Sequence, residues 1–419
     1  MPAYSPSPAS RSATTGFDPS DAAHLRAPYP IFERMREAGP VHWSPEISGW
    51  LVLGWAEVQQ MVSTPEVFSA NRLTPVVERL PEAARATAGD VLRWLSIWMV
   101  FQDPPEHTRV RRHMLSVINP RTVGSLREPV QEVTDLLLDR LPRDEPFDFY
   151  TQFGLKLPGF VVMDLLGVPR DRLAEVKSWS DEMMLFIGSS RKVTDKYSRA
   201  KHGAQSMSEL FRELIAQRRA EPRDDALTRM ISHEVAGETL TDDELIASMM
   251  MIANGAQETT AHLLSNSLLA LRAHPDQFAA LSEDREQLIP TAVEELLRYD
   301  GPVLSTARLA VADSELGGQR IAAGERVFGL LVAANRDPAV FADPAGLDLR
   351  RKPNKHLSFS SGVHFCLGAP LARLEAQIAL GEIVTRFPGY EFAEPLENVP
   401  WTNSMVARGP TRLPIRWGR

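Results

Sequence analysis

Between positions 242 and 272 apolar residues crowd every face of a helix, through Leu245, Ile246, Met249, Met250, Met251, Ile252, Leu263, Leu264, Leu268 and Leu269. A helix that is apolar all round is buried all round, so this segment is predicted to run through the middle of the molecule. Thr241-Asp242-Asp243-Glu244 opens it as a capping box, in which the Thr hydroxyl takes the N–H of Glu244 and the Glu carboxylate reaches back. Apolar residues at helical spacing predict further helices over 29–36, 130–141, 198–219, 285–299 and 370–387. Strand-like stretches are few. They cover 41–53, punctuated by Pro45 and Gly49, and 319–321 and 326–331, which Ala322-Ala323-Gly324-Glu325 joins as an expected hairpin. The chain therefore reads as mainly α with small β-sheets.

One stretch interrupts the apolar run of the central helix: Asn254-Gly255-Ala256-Gln257-Glu258-Thr259-Thr260. Glycine and polar side chains midway along a buried helix are destabilising, so they mark a place with a task. A second clue is Cys366, the only cysteine in 419 residues, within Phe359-Ser360-Ser361-Gly362-Val363-His364-Phe365-Cys366-Leu367-Gly368. One thiol cannot form an internal disulfide or a multi-cysteine zinc site. It can be the single protein ligand of a metal held otherwise, as haem iron is held by its porphyrin. The residues from Leu367 to Ala376 read as a helix start with Pro370 in the first turn. That places Cys366 at a helix N-terminus, where free N–H groups and the dipole favour an anion. Gly362 suits a positive-φ turn and Gly368 a close backbone approach, while Phe359 and Phe365 are expected to screen the sulfur from water.

Composition narrows the setting. With 43% hydrophobic residues the chain can fill a sizeable core, and a net charge of −8 without a basic block argues against a nucleic-acid partner. Residues 1–17 are rich in Ser, Pro, Ala and Thr and lack an apolar signal region, so a disordered tail is expected before one large domain over 18–419. No stretch is long and uncharged enough to anchor in a bilayer. A soluble, cytoplasmic monomer is the expectation.

The cysteine loop, with Phe, Gly, His, Cys and Gly at fixed offsets, resembles the haem-ligand loop of the cytochrome P-450 family. Gly255-Ala256-Gln257-Glu258-Thr259 is similar to that family's oxygen-activation motif, with the small pair as Gly-Ala rather than Ala-Gly. The order of motifs fits from about Asp18 to the end. The resemblance implies a single cytochrome P-450 domain binding haem b through Cys366, and a central helix that opens locally at its polar run to admit O2. It implies that Thr259 and Glu258 manage oxygen and its protons. Further implied contacts to haem come from His107, Arg111, Arg308 and His364 on the propionates, with Phe359 and Gly368 beside the ring. Glu295 and Arg298, joined by Arg351, would form a structural triad. The same spacing recurs at Glu33/Arg36, Glu82/Arg85 and Glu209/Arg212, but only Glu295/Arg298 lies about seventy residues before the cysteine loop.

For substrate the resemblance points to Trp98, Met250, Asn254, Val303, Leu304, Met405 and Val406, and to the region 183–198. Asn254 either meets substrate or satisfies opened backbone. Electrons would pass from NAD(P)H through ferredoxin reductase and ferredoxin, docking on a basic patch of Arg109, Arg112 and Arg373. The reaction expected is insertion of one oxygen atom into an apolar, natural-product-like molecule by hydroxylation or epoxidation. Coupling, desaturation or nitration with the same cofactor is the alternative within enzymes. A haem-based sensor or carrier is the alternative outside them, and Glu258-Thr259 speaks against it, because a carrier gains nothing from proton delivery.

Overall fold

A computed structural model describes residues 16–186, 195–387 and 389–418. The helix Asp242–Ala273 is its axis, with Leu245, Met249, Met250, Leu264 and Leu268 fully buried. The capping box forms: the Glu244 amide donates to Thr241 Oγ1 at 3.3 Å and the Thr241 amide donates to Glu244 Oε2 at 2.9 Å. Around this axis pack the helices Lys156–Leu166, Leu173–Met184, Lys196–Ala220, Arg285–Asp300 and Ala369–Arg386. The expected helices are present with their ends shifted by one to three residues; the segment read as 130–141, for example, is Arg127–Asp139.

The β structure stands to one side. Five strands pair in the order Val41–Ser44, Gly49–Val52, Arg326–Leu330, Ser305–Ala310 and Phe68–Ser69. The stretch 41–53 becomes an antiparallel pair, Val41 opposite Val52, and Gly49–Val52 then runs parallel to Arg326–Leu330. The expected hairpin between 319–321 and 326–331 does not form. Gln319–Ile321 pairs with Ser314–Leu316 instead, and Arg326–Leu330 lies between two other strands. The reason is the turn: Gly317 and Gly318 both take positive φ, +56° and +76°, which is the backbone of a tight two-residue hairpin. At the tail boundary, Phe17 is 1% exposed and packs on Phe32 with ring centroids 4.9 Å apart, so it belongs to the folded body rather than to a tail. Residues 1–15 lie outside the described residues.

The segment leading to the cysteine loop is fixed by a buried charge cluster. Arg298 donates to both Glu295 carboxylate oxygens at 2.8 Å, and Arg351 Nε donates to the same two at 3.1 Å. Asn354 and the amide of Asp348 also donate to Glu295, while Arg298 spends its other N–H groups on the carbonyls of Asn335, Pro344 and Gly346. Glu295 and Arg298 are fully buried. One carboxylate thus ties the Arg285–Asp300 helix to the chain on both sides of residue 350. Deleting one partner of such a cluster strands the rest, at about 3–5 kcal/mol. Glu295→Ala is expected to lose that much in denaturant unfolding; a loss under 1 kcal/mol would show that the cluster does not hold this segment.

Candidate active site

Cys366 follows a turn in which Ser360 and Gly362 both have positive φ, +62° and +68°. A Cβ on Gly362 would stand 3.0 Å from the carbonyl oxygen of Val62, so glycine serves twice there. The Cys366 amide donates to Phe359 O at 2.9 Å, and three residues later the helix Ala369–Arg386 begins. The sulfur is open to an interior cavity and enclosed by protein elsewhere. Burial pushes its pKa up. The amides of Gly368 and Ala369 and the guanidiniums of Arg111 and Arg373 pull the other way. Phe359 is 9% exposed with its ring 6.3 Å from that of Phe365, while Phe365 is 39% exposed. A Cβ at Gly368 would meet only Cys366 Sγ, at an ordinary 3.9 Å. Packing within the protein does not demand glycine there.

The cavity measures about 700 Å³. Its far wall is the central helix, through Met251, Ile252, Gly255, Ala256, Thr259, Thr260 and Leu263. The spacing is that of one helix face. The helix is not opened there, contrary to expectation: the backbone stays helical through the polar run, and the Thr259 hydroxyl donates to Gly255 O at 3.0 Å. Room comes from the absent side chain instead, since a Cβ on Gly255 would meet nothing within 4 Å.

That same geometry decides the remaining candidates. Cys366, His107, Arg111, Arg308, His364, Phe359, Gly368, Thr259, Val303, Met405 and Val406 line the cavity, whereas Trp98, Met250, Asn254, Leu304 and Glu258 do not. Met250, Asn254 and Glu258 share a helix face turned about 100° away per residue from the lining one. Met250 is buried in the core, and Asn254 donates to Ser180 Oγ at 2.6 Å, so Asn254 binds a neighbouring helix rather than substrate. Trp98 lies flat against Phe101, and Leu304 packs in the cluster of Phe32 and Leu330. Part of the region 183–198, residues 187–194, lies outside the described residues. Glu258 stands 3.5 Å from His262 and close enough to Lys177 and Asp181 to feel their charges. The nearness of His262 lowers its pKa.

One end of the cavity gathers three arginines, Arg72, Arg111 and Arg308, around two imidazoles, His107 and His364. The rings of His107 and His364 are 4.3 Å apart, and both nitrogens of His107 and Nε2 of His364 are buried without a partner. Burial and the neighbouring arginines hold His107 down at about 4 and His364 at about 3. Arg308 and Arg72 are lowered to about 10, chiefly by burial, Arg72 also by Arg308. Among the described residues no carboxylate forms an ion pair with Arg72, Arg111 or Arg308, and the nearby Asp103 is occupied by the Ser69 hydroxyl and the Ala70 amide. So much positive charge turned on one buried spot is built for a ligand carrying carboxylates. Arg72 was missed in the sequence because it sits in a loop without periodicity. Glu375, buried in the same cavity, left a trace: a lone acid on the apolar face formed by Leu371 and Ile378. The basic docking patch shrinks, because Arg109 pairs with Glu244 and Arg373 with Glu294, leaving Arg112 exposed.

A cysteine at a helix N-terminus facing an interior cavity, a cluster of unpaired arginines at its edge and an apolar wall together define a haem-thiolate protein. The chain belongs to the cytochrome P450 family, whose sequence model matches residues 82–410. It is 36% identical to cytochrome P450 107B1 of Saccharopolyspora erythraea over 97% of this chain and 100% of that protein. It is 31% identical to the polyketide biosynthesis cytochrome P450 PksS of Bacillus subtilis, over 95% and 98%. The structure of P450BioI in complex with hexadec-9Z-enoic acid ligated acyl carrier protein superposes with a TM-score of 0.86 at 32% identity, covering 95% of this chain and 99% of that one. The enzyme is a cytochrome P450 monooxygenase, and no described helix is long and apolar enough to cross a membrane.

The residues present fit the haem this family implies. The unpartnered imidazole nitrogens and unpaired guanidiniums match two propionates, and the sulfur faces the same space. A hydrogen bond to a charged group contributes about 1.5–3 kcal/mol. Arg72→Leu is therefore expected to speed haem loss to an apo-globin acceptor by about ten- to a hundredfold; an unchanged rate would remove Arg72 from the propionate site.

Proposed function

We propose that this monooxygenase inserts one oxygen atom from O2 into an apolar small molecule of natural-product type, by hydroxylation or epoxidation. NAD(P)H would supply the electrons through a ferredoxin reductase and a ferredoxin. The observation that carries the reading is a single cavity in which the Cys366 sulfur, the Thr259 hydroxyl and an apolar wall meet. Haem, when bound, supplies oxygen activation, with the thiolate pushing electron density onto the iron.

The chain's own residues would divide the remaining work. Cys366 would ligate, with the Gly368 and Ala369 amides and Arg111 and Arg373 favouring its anion against burial. His107, Arg111, Arg308, His364 and Arg72 hold the propionates. Gly255 and Ala256 leave space beside the ring, and the Thr259 hydroxyl can turn from the Gly255 carbonyl to donate into that space. Leu73, Val76, Met99, Phe186, Met251 and Val303 exclude water and accept an apolar substrate. The likeness to an enzyme named for polyketide biosynthesis supports a substrate of that broad type. Arg112 remains as the exposed cation for an acidic electron carrier, beside a chain that is acidic as a whole.

Two measurements test this. The reduced, carbon-monoxide-bound protein is expected to show the strongly red-shifted band of thiolate ligation, and Cys366→His to lose it; a normal band in the variant would sink the reading. With a compound that shifts the spin state of the ferric protein, Thr259→Ala is expected to divert electrons to hydrogen peroxide, dropping product per electron pair by about tenfold or more. Unchanged coupling would take Thr259 out of proton handling.

A further inference from the structure

Charge is divided unevenly between the cavity and the rest of the chain. The whole sequence carries 54 acidic against 46 basic residues. The cavity wall reverses that balance, with Arg72, Arg111, Lys196, Arg308 and Arg326 against a single acid, Glu375. Burial pushes Glu375 up to about 8, so at neutral pH it offers those cations little negative charge. Two haem propionates answer two of the cations, and the three arginines gathered at one end are the ones placed for them. Arg326 donates to the carbonyls of Ile47 and Ser48. Lys196 stands apart, as the first residue of the helix Lys196–Ala220.

The surroundings of Lys196 suit a ligand's anionic end. It is half-buried while Asp195, Ser198 and Arg199 are exposed, which puts its stem at the boundary between cavity and solvent. Its ammonium lies 4.9 Å from the centre of the Tyr197 ring, and that ring stands 6.1 Å from the cavity-lining ring of Phe186. Among the described residues no carboxylate forms an ion pair with it; Glu182, on the adjacent helix, is shared by Arg199 and His202 instead. The helical side of the wall is otherwise apolar, through Val76, Val100, Phe186, Met251 and Ile252. An apolar space with an unpaired cation at its boundary is the complement of a molecule that has an apolar body and an anionic end.

We propose that Lys196 receives the carboxylate of the substrate, an amphiphilic organic acid whose apolar body extends into the cavity toward Cys366. The proposal names a substrate class for the oxygenase site and rests on that reading. The contact orients the molecule: the carboxylate stays at the boundary, and a carbon remote from it is the one presented for oxidation. A wall of one sign also draws the acid in from solution.

The test reads binding by the spin-state change of the haem-loaded ferric protein, which needs no turnover. Dodecanoate, methyl dodecanoate and dodecanol are compared in wild type, Lys196→Met and Lys196→Glu, each certified by an unshifted carbon-monoxide band. Wild type is expected to bind dodecanoate about tenfold or more tightly than the ester or the alcohol, with the advantage shrinking as salt is added. Lys196→Met keeps an apolar stem and should lose that advantage while holding the ester and the alcohol as before. Lys196→Glu should weaken dodecanoate further and admit dodecyltrimethylammonium, which wild type rejects. No advantage for the acid in wild type, or an advantage that survives Lys196→Met, would overturn the proposal. Acid-selective binding that depends on Lys196, in a protein that oxidises no compound, would overturn the oxygenase reading instead and leave the anion site standing.

Discussion

A sulfur anion at Cys366 has to be favoured against burial, and the structure around it sets several groups to that task. Burial favours the neutral thiol. Against it stand the amides of Gly368 and Ala369, aligned by the start of the Ala369–Arg386 helix, and two guanidiniums from different elements. The amide contribution exists only if the chain turns sharply before the helix, and the positive φ of Ser360 and Gly362 provides that turn. The guanidinium contribution exists only if other elements hold their places. Arg373 is held by both oxygens of Glu294 at 2.7 and 2.8 Å, and its guanidinium lies 4.5 Å from the Phe359 ring centre. Charge stabilisation at one atom therefore depends on packing across much of the molecule.

The Glu295–Arg298–Arg351 cluster shows why such a fold tolerates buried charge at all. Every polar atom of the cluster that can reach a partner has one, so the desolvation penalty is met by hydrogen bonds rather than by Coulomb attraction alone. The arginine and histidine cluster at the cavity edge is the opposite arrangement. Burial lowers His107, His364, Arg72, Arg111 and Arg308, neighbouring arginines lower the two histidines further and Arg308 lowers Arg72, and among the described residues no carboxylate forms an ion pair with the three arginines. A saturated cluster fixes structure, whereas a cluster lacking anions is set up to receive them.

Much of this was legible in the residues. The capping box at Thr241, the all-round apolar character of the central helix and the offsets of the cysteine loop each report a local physical rule, and each describes the structure. Features that depend on the rotation of one element against another were not legible. Asn254 and Glu258 stand five residues and one residue before Thr259 in the sequence, yet they face the Leu173–Met184 helix while Thr259 faces the cavity. Nothing in spacing alone sets the zero of that rotation. Arg72 comes from a loop that only the folded sheet brings beside Arg308. The false hairpin has a different cause: two turn signals compete near 320, and Gly317-Gly318 satisfies the stricter backbone demand.

The rotation of the central helix also explains how one polar run serves two environments. Successive residues turn by about 100°, so Glu258, Thr259 and Thr260 point in three directions. Glu258 faces the outer helix, with His262 one turn further along the same face and stacked on Tyr150 at 5.1 Å. Thr259 faces the cavity, and Thr260 meets Glu375. A carboxylate that must stay charged is thus placed beside a histidine and a lysine. Burial pushes the Glu375 carboxyl up, and the Thr260 hydroxyl pulls the other way. The helix stays helical through the polar run, and further along it His262, Ser265 and Asn266 Oδ1 carry buried polar atoms without a hydrogen-bond partner.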